Sequence, residues 1–214
     1  MARRTTRRAP ARGARVRRAL PPGQRVRDAA RSREQLLAAA LDEFAKRGFA
    51  GARVEAIAAR AGVNKQLISY YFGGKKGLYD ALRQAWLAKE AAFVPRGGPL
   101  EELVLAYLKA NLKDPRMTRL LLWEGLAEGA GPKPPAAAGS REDLSDLERR
   151  KAEGQLDSDI DPGLLQLALM GAVSAPVAMP HIVRRLTGMD PTAPEFEPAY
   201  GDQLRRIIRR LARK

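Results

Sequence analysis

The chain has 214 residues, enough for one ordinary domain or a small head joined to a larger body. It holds no Cys and a single His, His181, which excludes disulfides, thiolate or His-cluster metal sites and repeated Ser/His/Asp chemistry. The net charge is +15, a balance that suggests a polyanionic partner, and it is unevenly spread: residues 1–33 carry twelve Arg against one acid, Asp28.

Residues 1–31 are rich in Arg, Ala and Pro, the composition of a basic disordered extension. The first helix is predicted from Ser32, where Ser32-x-x-Gln35 has capping-box spacing. Leu36, Leu37, Ala40, Leu41 and Phe44 form one helical stripe, and Gly48 supplies a stop. A second, shorter helix is expected over 54–61, with Val54, Ile57, Ala58 and Ala61 on one face and Gly62 as its end. A third is expected from Asn64, a suitable N-cap, to Phe72 before Gly73-Gly74. A fourth starts at Lys75 and carries Leu78, Leu82 and Trp86 before Pro95.

Longer helices follow the Gly/Pro break. One is expected over 100–112. Another opens at Asp114-Pro115, an acid at the cap before Pro at the first helical position, and ends at Gly129. After a loop over 129–139, a helix is expected over 141–153. Asp161-Pro162 repeats the acid–Pro start and leads an apolar helix to Arg185, bent near Pro176. The last helix, 197–213, carries Tyr200, Leu204, Ile207, Ile208 and Leu211 on one face. No stretch of apolar/polar alternation suits a strand, so the class is all-α. The run Leu164 to Met179 is short for a membrane span, and the N-terminus lacks a signal peptide's apolar core. A cytoplasmic protein without membrane attachment is expected.

Two short helices across a Gly-containing turn form a helix-turn-helix arrangement. At 100° per residue, Leu67, Ile68, Tyr71 and Phe72 of the third helix face the core, and Gln66, Ser69 and Tyr70 lie opposite, with Lys65 at the margin. Such a helix fits a major groove about 12 Å wide, where Gln and Lys address base edges and Ser and Tyr serve bases or phosphates.

The stretch from Val54 to Lys65 resembles the second helix and turn of TetR-family transcriptional regulators. Tyr70-Tyr71-Phe72-Gly73-Gly74-Lys75-Lys76-Gly77-Leu78 is similar to their Tyr-x-x-Phe-x-Ser-Lys-x-x-Leu region, and Phe44-Ala45-Lys46-Arg47-Gly48-Phe49 matches the end of their first helix. The resemblance covers about residues 32–82. It implies that Gln66, Ser69 and Tyr70 face bases and that Tyr71 and Lys75 contact phosphate. Arg53 can reach phosphate, and Asn64 and Lys65 at the start of the third helix are expected to complete the DNA surface. Arg53 stands where the family often has a capping Ser or Thr, and Gly74 where it usually has Ser.

After the basic extension (1–31), the resemblance implies two parts, a DNA-binding head (32–78) and a helical regulatory body (79–214). The body is expected to bind a small-molecule effector and to form a homodimer through its last two long helices, where Gly171, Ala172 and Ala175 permit close helix approach. Two heads then reach half-sites of a palindromic operator in double-stranded DNA about 34–36 Å apart. The candidate effector-lining residues are Trp86, Tyr107, Trp123, Met170, Met179 and His181. No cofactor or metal is expected: Asp157-x-Asp159-x-Asp161 fails as a calcium loop at Pro162 and Ala168. The expected function is that of a ligand-released repressor. The alternative is a nonspecific nucleic-acid binder driven by the Arg-rich segment. An enzyme has no recognisable nucleophile–base pair to work with.

Overall fold

The computed structural model describes residues 22–93, 97–127 and 143–211, and all its regular structure there is helical. The predicted basic segment before residue 22, the loop over 129–139 and the last residues of the final helix lie outside the described residues. The helices are α1 (Pro22–Gly51), α2 (Val54–Ala61), α3 (Gln66–Phe72), α4 (Lys75–Phe93), α5 (Leu100–Lys113), α6 (Arg116–Ala127), α7 (Ser145–Ala152), α8 (Pro162–Ala178), α9 (Pro180–Thr187) and α10 (Phe196–Leu211).

Several boundaries differ from the sequence reading: the helix expected over 141–153 is Ser145–Ala152, and two differences change more than an end. α1 starts at Pro22 instead of Ser32, so residues 22–31 are helix and not an irregular extension. Pro is suited to a first helical position, and the residues that follow it tolerate helix well. Inside α1, Gly48 has φ +66, the left-handed break the sequence expects there. The second difference is the bend after Asp161-Pro162. It falls at Met179 (φ −133, ψ 55), not at Pro176, and it separates α8 from α9 by 92°. Met179 precedes Pro180, whose ring disfavours the helical conformation one residue upstream. Pro176 instead sits inside α8. Its missing N–H leaves the Ala172 carbonyl without its usual partner, and the Tyr200 hydroxyl donates there at 3.0 Å. Asn111 Nδ2 donates to the neighbouring Val173 carbonyl at 3.1 Å.

The acid–Pro starts are built as their residues suggest. Asp161 Oδ1 accepts from Leu164 N at 2.8 Å, and Asp114 Oδ1 from Arg116 N at 3.3 Å. α7 is held by buried Leu147 and Arg150, whose guanidinium donates to Asp146 at 2.6 Å and to the Gly98 carbonyl at 2.7 Å.

The apolar residues form two cores. One joins α1, α2, α3 and α4 and takes in Met117 and Leu120 of α6. The other joins α5, α8 and α10 around Leu108, Val173 and Leu204. α6 therefore packs into the head's core although it lies far along the chain. Polar contacts reinforce that seam. Arg116 Nη1 reaches Asp42 Oδ1 at 2.7 Å, and Trp123 Nε1 donates to the Ala45 carbonyl at 3.2 Å. The Trp123 ring lies against Gly48, where a Cβ would meet it at 3.3 Å. Tyr79 donates to Glu124, which also pairs with Arg83 at 3.3 Å.

Of the predicted stripe on the last helix, Leu204 and Ile208 are buried and Tyr200 and Leu211 pack against the second core, while Ile207 faces outward. α8 exposes Leu164, Leu167 and Met170. No single described helix is long and apolar enough to cross a membrane; α8 and α9 pass such a test only together, as a bent pair.

Candidate nucleic-acid interface

α2 and α3 meet across Gly62, whose φ of +67 closes α2 by accepting a left-handed backbone that a side chain resists. Val63 N then bonds back to the Ala58 carbonyl at 3.1 Å. Asn64 acts as the cap the sequence expects: its Oδ1 accepts from Gln66 N at 2.9 Å. α3 itself is seven residues long, two fewer than expected, because Asn64 and Lys65 form the tight lead-in turn.

The periodicity of α3 sorts its side chains as the sequence implies. Ile68 is buried, and Leu67, Tyr71 and Phe72 pack against the first core. Gln66, Ser69 and Tyr70 are exposed, Tyr70 at 80%. Tyr71 is half-buried, with its ring edge-on to both Tyr70 and Phe72. α3 is held by its inner face, and its outer face presents an amide, a hydroxyl and a phenol.

Beside α3 runs a groove of about 450 Å³ lined by Val54, Glu55, Lys65, Gln66, Ser69 and Lys75, among others. Lys65 Nζ lies 3.4 Å from Glu55 Oε1, both largely exposed. Backbone hydrogen bonding in the first turn of α2, then Lys65, holds the Glu55 carboxyl below its usual range. Lys75 is tethered: its Nζ donates to the Ala50 carbonyl at 3.2 Å and stands 4.8 Å from the Phe49 ring centroid. The start of α4 is fixed against α3 by Gly77, where a Cβ would lie 1.8 Å from the Phe72 carbonyl oxygen.

Arg53, the position lacking the expected Ser or Thr, makes no side-chain cap. Its N–H instead donates to Glu43 Oε1 of α1 over a long 3.4 Å. Glu43 is itself buried and paired with Arg47 Nε at 3.2 Å. The Arg53 side chain is left exposed. Sequence reasoning did not find Glu43, because its role depends on how α1 and α2 pack.

Of the eight candidate DNA-contacting residues, Lys65, Gln66, Ser69 and Lys75 line one groove; Asn64 bonds to the start of α3, Tyr70 and Tyr71 stand edge-on to each other on α3, and exposed Arg53 precedes α2. The six candidate effector-lining residues are not brought together. Trp86 packs against the first core with Lys89 over its ring, Trp123 seats on α1, and Tyr107 packs against the second core. Met170, Met179 and His181 are exposed on α8, at the bend and on α9.

Residues 36–82 match the family model for bacterial regulatory proteins of the tetR family, and residues 100–213 match a model for a tetracyclin repressor-like C-terminal domain. Among characterised relatives, the chain is 31% identical to the HTH-type transcriptional repressor SCO4008 of Streptomyces coelicolor, across 88% of this chain and 97% of that one. It is 40% identical to the HTH-type transcriptional regulator RutR of Escherichia coli over 49% of this chain and 53% of that one. Among solved structures, that of SCO4942 from Streptomyces coelicolor superposes with a TM-score of 0.67 at 24% identity, covering 82% of this chain and 97% of its own.

Proposed function

This chain belongs to the tetR family of bacterial regulatory proteins, and from that premise we propose that it is a homodimeric, effector-released repressor that reads a palindromic operator with α3. The observation that carries the proposal is the two-sided build of α3. Ile68 fixes the helix in the core, while Gln66, Ser69 and Tyr70 stand free on the outer face. Gln can make paired hydrogen bonds to an adenine edge, and Ser and Tyr can bond to bases or phosphates. Lys65, Lys75 and Arg53 supply cations around that face, Asn64 fixes its N-terminal end, and Tyr71 lies at its margin.

The head spans residues 32–78 and the body residues 79–214. The dimer surface is the outward side of α8, with Leu164, Leu167 and Met170, together with Ile207 of α10. Leu164, Leu167 and Met170 recur every three residues along α8, and exposed apolar surface that is contiguous marks a contact site. The effector reaches the body and acts on the head through α6, which contributes Met117 and Leu120 to the head's core. SCO4008 is a repressor, and that direction of regulation is carried over here.

Selection of bound sequences from a random DNA pool tests the reading. The expected result is an enriched palindrome, bound at least about a thousandfold more tightly than random duplex. Equal affinity for all sequences would establish a nonspecific binder instead.

A further inference from the structure

Twelve Arg fall within residues 1–33, and the reading of α3 uses none of them. Where the structure describes this stretch, it is the N-terminal part of α1. The two ends of α1 meet different neighbours. Its later residues dock on the body, through Asp42 to Arg116 and through Ala45 and Gly48 to Trp123. Earlier in the helix, the Arg33 guanidinium stands 5.6 Å from the ring centroid of Phe72, the last residue of α3. From that point α1 continues back to Pro22, away from the α6 contact. Eleven residues at about 1.5 Å each extend it by roughly 16 Å, the axial rise of about five nucleotides.

The composition of that extension gives it no docking face. Val26 is its one large apolar residue between positions 22 and 35, so it lacks the stripe that would seat on a protein or enter a membrane surface. It carries Arg25, Arg27, Arg31 and Arg33 against Asp28 and Glu34. Arg31 is exposed and makes no ion pair among the described residues. Eight further Arg precede residue 22 in the sequence.

We propose that residues 22–33 of α1 are a second DNA-binding element, which grips the phosphates flanking the half-site read by α3 and reads no bases itself. The proposal rests on the assignment of α3 to operator DNA. Its chemistry is that of guanidinium groups displacing counterions from a polyanion.

The test compares the full chain with an R25Q/R27Q/R31Q variant, in which Gln keeps helix propensity close to that of Arg. A second variant, R185Q/R206Q/R210Q, removes the same charge from exposed body positions. Dissociation constants for the selected operator and for an unrelated duplex are measured between about 50 and 200 mM salt, the range over which phosphate binding shows. The α1 variant is expected to flatten the log–log salt slope by roughly 0.9 for each phosphate no longer neutralised, weakening both duplexes by similar factors. The body variant is expected to keep the wild-type slope. An unchanged slope in the α1 variant, or equal flattening in the body variant, overturns the inference while leaving α3's role intact. So does loss of operator preference alone, which would mean that the segment reads bases. Absence of operator preference in the unaltered chain would instead overturn the reading of α3.

Discussion

The Tyr200 hydroxyl donates to the carbonyl of Ala172, the group that Pro176 leaves without a helical partner. α10 thereby repairs a gap in the hydrogen bonding of α8, and the proline is tolerated without a break at its own position. Y200F should leave that carbonyl unpaired in a half-buried site and cost about 1–3 kcal/mol. In a P176A background, where the helix regains its own N–H, the same change should cost much less. Urea unfolding of the four proteins of this cycle measures the difference, and equal costs in both backgrounds would refute the repair.

Inner and outer faces of α3 predict opposite phenotypes. I68A removes a buried side chain and should lower stability by about 2–4 kcal/mol. Y70A removes an 80%-exposed ring and should change stability by no more than about 0.5 kcal/mol. It should nevertheless weaken operator binding by roughly 10- to 100-fold. Thermal melts and binding titrations on the same two variants separate these effects.

Gly77 is required by close approach. G77A would drive a methyl group into the Phe72 carbonyl, so the start of α4 must move away from α3. The expected penalty is about 3 kcal/mol, with operator affinity falling further than stability alone explains. A variant of wild-type stability and affinity would show that the contact can relax.

The seam between head and body should respond to pH through Asp114. Hydrogen bonds from Arg116 hold its carboxyl below the usual range. A carboxyl depressed in the folded chain contributes stability that is present above its unfolded value of about 4 and lost as pH falls through the folded one. R116A should remove the guanidinium's part of this contribution, while the backbone N–H of residue 116 still donates to Asp114, so that unfolding free energy depends less on pH below about 4. At neutral pH the change should cost about 2 kcal/mol or less, because it breaks two pairs, to Asp114 and to Asp42, and both are partly solvated. Denaturant unfolding of both proteins across the acid range reads the two slopes.

The indole of Trp123 ties α6 to α1 through one hydrogen bond and one ring face. W123F keeps most of the face and loses the N–H to Ala45, for a cost of about 0.5–1.5 kcal/mol. W123A loses both and should cost at least twice as much. Fluorescence-independent unfolding, by far-UV circular dichroism, reads the difference.

The parts that were legible in the sequence are those written within a helical turn. The stripe of Leu36, Ala40 and Phe44, the left-handed Gly48 and Gly62, the Asn64 cap and the division of α3 all follow from spacing of at most a few residues. Features resting on distant partners were not legible. Pro176 looks like a kink until Tyr200 and Asn111 are seen beside its neighbours. Arg116 and Asp42 are 74 positions apart, so neither announces the pair. The helical stretch before Ser32 carries no apolar face, and periodicity has nothing to detect there. The aromatic and Met residues chosen for a pocket had no spacing to unite them, and the folded chain distributes them over both cores and the surface.

Because Glu43 holds the backbone N–H at the entry to α2, the cap there does not depend on the side chain at position 53. The position is open to substitution, and the Arg found there can serve charge alone. On the proposed role of this surface in DNA binding, exchange of Arg53 for Ser, Gln or Glu is expected to change the strength and salt sensitivity of that binding in graded steps, while a carboxylate ten residues away still holds the backbone N–H.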